Sequence, residues 1–107
     1  MSVRSPVKHL ELSNASRLAL TGYVAGIARQ VANTGVTINN LLPGPIATER
    51  LQELRATADQ LVSRIPMGRT GLPEEFGATC AYLCSMQAGF ITGQNLLIDG
   101  GLCSLTV

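Results

Sequence analysis

Tryptophan is absent, tyrosine and phenylalanine occur twice each, and histidine occurs once in the 107 residues. So few rings leave little of the stacking platform with which proteins hold single-stranded nucleic acid. Charge is sparse too, at 14%, and eight Lys and Arg against seven Asp and Glu give a formal +1 with no basic run. Neither nucleic acid nor an anionic membrane surface is an expected partner. No stretch reaches the roughly 18 uncharged apolar residues of a membrane span. Arg4, Lys8, His9 and Glu11 interrupt the amino end, so Met1 to Leu12 lacks the apolar core of a secretory signal, and the expectation is a cytoplasmic chain. Three cysteines and one distant histidine are too few for a zinc site or a disulfide framework, so no metal is expected. Cys80 and Cys84, four apart, read as small buried residues of a helix in a reducing compartment.

What is present is helix and strand in alternation. Ser13 to Ala32 contains neither Pro nor a charge run and reads as one long helix, capped by Gly35 in the left-handed conformation. Leu20, Val24, Ile27 and Val31 form one row on it, and Ala15, Ala19, Gly22 and Gly26 a second row of small residues. The first row suits a sheet face, and the second permits close approach of another helix. Val36 to Leu42 is apolar and β-branched, as in a parallel strand covered on both faces, and Pro43-Gly44-Pro45 ends it.

Thr48 reads as the N-cap of a helix through about Val62, with Leu51, Leu54, Ala58 and Leu61 on one apolar side. Ile65 to Gly71 is a connector, after which Pro73-Glu74-Glu75 opens a third helix burying Phe76, Cys80, Leu83 and Cys84. Gln94 to Asp99 is a second strand, closed by Gly100-Gly101. Gly22 with Gly26 and Gly89 with Gly93 share the Gly-x-x-x-Gly spacing. Neither pair lies between a strand and a helix, so close packing and a turn are the better readings than a phosphate loop.

The order helix, strand, two helices, strand gives an α/β fold, a partial Rossmann-like doubly wound parallel sheet with one right-handed crossover. Two parallel strands do not make a domain, and the inner edge of the first would be unpaired. Residues 1–107 therefore read as a single partial domain.

Asn39 followed by Pro43-Gly44-Pro45-Ile46-Ala47-Thr48, then Ile65-Pro66-Met67-Gly68-Arg69 with Gly71 and Pro73-Glu74-Glu75, then Ile91-Thr92-Gly93-Gln94 and Asp99-Gly100-Gly101, occur in this order. Together these blocks resemble the carboxyl-terminal half of a short-chain dehydrogenase/reductase, from about Ser13 to Gly101. The resemblance implies a nucleotide-binding fold whose Gly-rich turn, catalytic Asn and catalytic Ser precede everything aligned here. The amino-terminal nucleotide-binding half is thus not part of this sequence.

The resemblance also assigns site residues. The family's Tyr-x-x-x-Lys falls on Ser13-Asn14-Ala15-Ser16-Arg17, so Ser13 stands at the tyrosine position and Arg17 at the lysine position. A serine hydroxyl is shorter and far less acidic than a phenol with an ordinary pKa of about 10. Arg17 keeps a positive charge suited to ribose hydroxyls but differs from lysine in shape. The structural account of the pair is a helix N-cap, at Ser13 or Asn14, followed by a solvated charge. Pro43, Gly44, Ile46 and Thr48 correspond to the wall against the nicotinamide of NAD or NADP; the alternative is a rigid turn with a capping threonine. Arg69 beside Glu74 and Glu75 reads as a structural ion pair.

The function implied is that of the carboxyl-terminal portion of an NAD(P)-dependent oxidoreductase, 3-oxoacyl reductase-like, acting on a carbonyl or alcohol and inactive as an isolated chain. The alternative is a self-associating remnant without catalysis, binding no cofactor. Its small-residue row, third helix and last strand resemble the parts through which the family builds homo-oligomers.

Overall fold

The computed structural model describes residues 3–53 and 55–104, without the side chains of residues 50, 52 and 55–58. The chain runs through helix α1 (Glu11–Val31), strand β1 (Asn40–Pro43), helices α2 (Glu49–Glu53), α3 (Arg55–Val62) and α4 (Pro73–Leu83), and strand β2 (Asn95–Ile98). One-turn 3-10 helices follow α1 at Ala32–Thr34 and α4 at Met86–Ala88.

Helix α1 has no proline through its six turns, although Gly22 and Gly26 lie within it, and it ends as its sequence dictates. Gly35 takes φ +82° and donates its N–H to the Ala32 carbonyl at 3.2 Å. Its start lies upstream of the expected one. Leu10 is the N-cap and uses no side-chain bond, which puts Ser13 inside the first turn and not at the cap. Asn14 does not cap either: its amide donates to the Val7 carbonyl at 2.8 Å and accepts the Val7 N–H at 3.3 Å, holding the incoming segment on the helix.

The strands pair in parallel, Asn40 opposite Asn95 through Pro43 opposite Ile98, and α2, α3 and α4 form the crossover between them. The sheet is the expected partial one, but β1 is shorter than the apolar run that suggested it. Side chains take over where the ladder stops. The Asn39 amide donates to the Ile91 carbonyl at 2.8 Å and accepts the Gln94 N–H at 3.0 Å. Thr92 Oγ1 accepts the Ile38 N–H at 3.1 Å. Gly93, at φ +70°, turns the chain into β2 and donates to the Ile38 carbonyl. Val36 to Asn39 thus runs beside a turn and not beside a strand.

The expected helix from Thr48 to Val62 is seen as α2 and α3. Leu51 and Leu61 are half-buried, while Leu54 and the Ala58 side chain lie outside the described residues. Pro73 occupies the first turn of α4, with Glu74 and Glu75 beside it at the positive end of the helix dipole.

Burial departs most from the sequence reading. Among the described residues Ala28, Leu42, Ile65 and Ala88 are the buried apolar side chains, with Thr21 the buried polar one. The small row of α1 faces outward, and among the described residues no atom outside the helix lies within 4 Å of a Cβ built at Gly22 or Gly26. Leu20 is exposed, while Val24, Ile27 and Val31 are half-buried. On α4 Phe76, Thr79 and Leu83 are half-buried, and Cys80 and Cys84 are exposed. Among the described residues the expected apolar rows are thus only partly covered, with Leu20, Cys80 and Cys84 in solvent. The radius of gyration is 15.2 Å, where a compact chain of this length has about 13 Å. The accessible surface is 7752 Å², where a compact monomer of this mass shows about 5,700 Å².

Candidate functional site

The chain leaves the carboxyl end of β1 through Pro43 and Gly44, the side on which open α/β sheets bind ligands. Gly44 donates to the Ile98 carbonyl at 2.9 Å, extending the ladder by one bond. A Cβ placed on Gly44 would stand 2.7 Å from Asp99 Cα, so only glycine allows the two turns to meet.

The next residues are held by a second, one-residue parallel bridge. Gly71 donates to the Pro45 carbonyl at 3.0 Å, and Ala47 donates to the Gly71 carbonyl at 2.8 Å. That pattern turns the N–H and C=O of Ile46 itself away from Gly71. Gly71 also meets the Ile46 side chain: a Cβ there would stand 2.8 Å from Ile46 Cδ1. Thr48 is exposed at the start of α2, and its carbonyl accepts the Leu51 N–H at 3.0 Å.

Arg69 and Glu75 lie on either side of Gly71 in sequence and join across it. Arg69 Nη1 and Nη2 donate to Glu75 Oε2 and Oε1 at 2.9 and 2.6 Å, a two-pronged pair. Arg69 Nη1 also donates to the Thr70 carbonyl at 3.0 Å, and Glu75 Oε2 accepts the Leu72 N–H at 2.8 Å. Hydrogen bonds from Arg69, then from the Leu72 N–H, with the guanidinium charge adding to them, lower the Glu75 carboxyl to a pKa of about 2. The same carboxylate raises the Arg69 pKa. The pair is the expected one, with Glu75 as the partner and not Glu74.

Asp99 closes the other side. Its carboxylate accepts the Gly101 N–H at 3.0 Å and the Cys103 N–H at 2.9 Å, while Gly100 and Gly101 take φ +64° and +86°. The Met67 N–H donates to the Gly100 carbonyl at 3.2 Å. A cleft of about 390 Å³ lies between this turn, the connector and α4, with Pro45, Arg69, Glu75, Leu97 and Asp99 on its walls.

Ser13 and Arg17 sit one turn apart on α1, where Arg17 Nε donates to Ser13 Oγ at 3.1 Å. The geometry therefore brings these two together, and separately groups Pro43, Gly44, Ile46 and Thr48. No hydrogen bond among the described residues joins Ser13 or Arg17 to the Pro43–Thr48 segment. Among the described residues no three His, Cys, Asp or Glu side chains gather as metal ligands, and no helix is long and apolar enough to cross a membrane. Gly71 and Asp99 matter more to the site than the sequence alone assigned. Their signals were local: an Arg and a Glu bracketing a glycine, and an Asp preceding two glycines, which accepts N–H bonds in such turns.

A nicotinamide carboxamide needs a rigid backbone wall with an outward donor and acceptor. The Ile46 peptide groups, turned from Gly71, are a donor and an acceptor of that kind, and Thr48 nearby in the chain is exposed. A pyrophosphate needs donors at a helix start reached from a strand through a Gly-rich turn, and no such turn occurs among the described residues.

Residues 1–103 match the family described as enoyl-(acyl carrier protein) reductase. The acetoacetyl-CoA reductase of Cupriavidus necator is 40% identical over 90 residues, 83% of this chain and 37% of that protein. The crystal structure of YwfH, described as an NADPH dependent reductase involved in bacilysin biosynthesis, superposes with a TM-score of 0.92 at 32% identity, covering 98% of this chain and 44% of that one. A short-chain dehydrogenase/reductase of Serratia marcescens superposes with a TM-score of 0.87 at 38% identity, covering 94% and 42%. This chain thus spans less than half the length of each of these relatives.

Proposed function

Because the chain belongs to the short-chain dehydrogenase/reductase family, we propose that it forms the carboxyl-terminal portion of an oxidoreductase moving hydride between NAD or NADP and a carbonyl or alcohol. Residues 1–107 are a single partial domain in this reading. A 3-oxoacyl thioester is the favoured substrate class, since acetoacetyl-CoA, named for the Cupriavidus necator relative, is one. The name of YwfH as an NADPH dependent reductase supports NADP as one of the two cofactors. The cytoplasm is the proposed compartment.

The observation that carries the reading is the Pro43–Thr48 segment. It leaves the ligand-binding end of a parallel strand, is bonded on one side to Gly71 so that the Ile46 peptide groups turn to the other, and continues to the exposed Thr48. When bound, the nicotinamide supplies or accepts the hydride. Pro43 and Gly44 fix the entry to the wall, Ile46 offers its N–H and C=O, and Thr48 its hydroxyl. Arg17 holds a cation for ribose hydroxyls. Ser13, whose oxygen accepts from Arg17, is too short and too weak an acid to replace a phenol as proton donor. The isolated chain is therefore without carbonyl reductase activity in this proposal.

A second reading, a non-catalytic homo-oligomer, is favoured by the exposed apolar surface. Leu12 is 86% exposed, Met86 95% and Phe90 fully so, and burying side chains of this kind on association is favourable. Titration of NADH and NADPH by fluorescence, with solution mass by light scattering, separates the two. Binding of either cofactor, weakened by Thr48→Ala, is expected. A folded, assembled chain with no affinity for either would leave the second reading alone.

A further inference from the structure

We propose that the Arg69–Glu75 pair is a positioning device for the Pro45–Ala47 stretch, acting through Gly71. Its functional meaning rests on the cofactor reading above.

An exposed ion pair contributes little as a charge pair in water. What distinguishes this one is where its remaining bonds go. Arg69 reaches back to the Thr70 carbonyl, and Glu75 holds the Leu72 N–H. The peptide groups on both sides of Gly71 are therefore fastened to one two-pronged pair. Gly71 itself uses its N–H and C=O on Pro45 and Ala47. Of the groups flanking Gly71, the Thr70 carbonyl and the Leu72 N–H go to the pair, while the Gly71 N–H and carbonyl go to the wall and the Leu72 carbonyl accepts from the start of α4.

The wall depends on this fastening because it has little other support. Gly44 is tied to the β1–β2 ladder, but beyond it the backbone bonds of Pro45 and Ala47 go to Gly71. Gly71 also bounds the Ile46 side chain, since space for a Cβ there is taken by Ile46 Cδ1 at 2.8 Å. A shift of Gly71 would carry the Ile46 peptide with it, and so move the donor and acceptor that would face a carboxamide. Neither Arg69 nor Glu75 would touch the cofactor.

Amide hydrogen exchange by NMR on the 107-residue chain tests this with Glu75→Ala, Glu75→Gln and the charge swap R69E/E75R. In Glu75→Ala the Gly71 and Ala47 amides are expected to exchange about fivefold faster, the worth of about one hydrogen bond. The Gly44 amide, bonded to Ile98 across the ladder, keeps its rate. Glu75→Gln retains an oxygen for the Leu72 N–H and gives a smaller change. The swap restores opposite charges but supplies neither an acceptor for Leu72 nor a donor to Thr70, so it stays as fast as Glu75→Ala. NADPH affinity, read by fluorescence, falls in the same order.

An unchanged Ala47 rate in Glu75→Ala overturns the proposal, as does full recovery in the swap or unchanged NADPH affinity beside faster exchange. Acceleration of the Gly44 amide together with the others means general loosening and overturns it too. Should Glu75→Ala not fold, Glu75→Gln and Arg69→Lys carry the same comparison. Failure of the unsubstituted chain to bind NADPH overturns the cofactor reading, while the exchange rates still decide the positioning role.

Discussion

Gly44 and Asp99 touch backbone to backbone: a Cβ on Gly44 would lie 2.7 Å from both the Cα and the Cβ of Asp99. The end of β1 and the end of β2 are pressed together at this point, and glycine is what lets them meet. Gly44→Ala is expected to destabilise the fold by about 1–3 kcal/mol, the usual range for overpacking. Gly71→Ala is expected to cost less, because the atom it meets, Ile46 Cδ1, is the end of a side chain that can rotate. Urea unfolding of the two variants checks the ranking. A larger loss in Gly71→Ala would show that the bridge to Ile46, and not the Gly44 contact, is the tighter point.

Asp99 does more than accept the approach of Gly44. Its two carboxylate oxygens hold the Gly101 and Cys103 N–H groups in a turn with two left-handed glycines. Asp99→Ala removes both acceptors and is expected to cost about 1–3 kcal/mol, with Asp99→Asn losing less because one oxygen remains. Equal losses in the two variants would mean that the negative charge, and not the count of acceptors, holds the turn.

The Glu75 carboxyl, at about 2 against an ordinary 4.5, gives a pH dependence of fixed sign. A carboxyl lowered in the folded state contributes fully above its unfolded value, and that contribution is lost as pH falls from there through the folded one. The window therefore runs from about 4.5 down to about 2, and neutral pH lies outside it. The Glu75 carboxyl carbon shift, followed by NMR, is expected to titrate at the bottom of this window. Arg69→Ala should return its midpoint toward the ordinary value. A midpoint near 4.5 in the unsubstituted chain would contradict the pair geometry.

Parts of this arrangement are legible in the amino-acid sequence. Gly35 past a long proline-free helix, Pro73 ahead of two acids, and the pairing of Arg69 with a following glutamate all rest on local chemistry, and local chemistry decided them. The two apolar runs separated by helix gave the parallel pair. What could not be read was set by partners distant in sequence. Val36 to Asn39 looks like strand, but its neighbours at 91–94 form a turn, so side chains of Asn39 and Thr92 replace the ladder. Cys80 and Cys84 fall on the apolar side of α4, yet no described residue buries them. Ser13 is a good capping residue, but the helix starts earlier because Asn14 anchors Val7. At the site, a sequence motif could point to Pro43–Thr48 as a wall. Only the geometry revealed that Gly71 holds it.

Arg17 and Ser13 form an exposed pair one helical turn apart, and such pairs contribute only a few tenths of a kcal/mol. Ser13→Ala and Arg17→Ala are each expected to change stability by less than about 0.5 kcal/mol. Arg17→Ala should nonetheless weaken NADPH binding by about fivefold or more, because a hydrogen bond from a charged donor is lost. A large stability loss without an effect on binding would make the pair structural, and the cation would have no place in the site.

The exposed faces of α1 and α4 lead to a prediction about assembly. Leu12, Leu18, Leu20 and Tyr23 on α1, and Tyr82, Met86 and Phe90 at and beyond the end of α4, all stand largely in solvent. Burying such side chains is worth about 25 cal/mol per Å², so self-association is the expected response of a folded chain. Light scattering should return a multiple of the chain mass. Cys80 and Cys84, exposed on α4, report which face is used. At dilution both should react with a thiol reagent before the half-buried Cys103, and their reaction should slow as concentration rises if α4 lies in the contact. They should not oxidise to each other, because residues four apart on a helix hold their Cβ atoms about 5–6 Å apart. A disulfide needs about 3.5–4.5 Å. A rise in mass without protection of either cysteine would assign the contact to α1. A monomer at every concentration, with β1 and β2 amides well protected from exchange, would show that the two-stranded sheet stands without a companion.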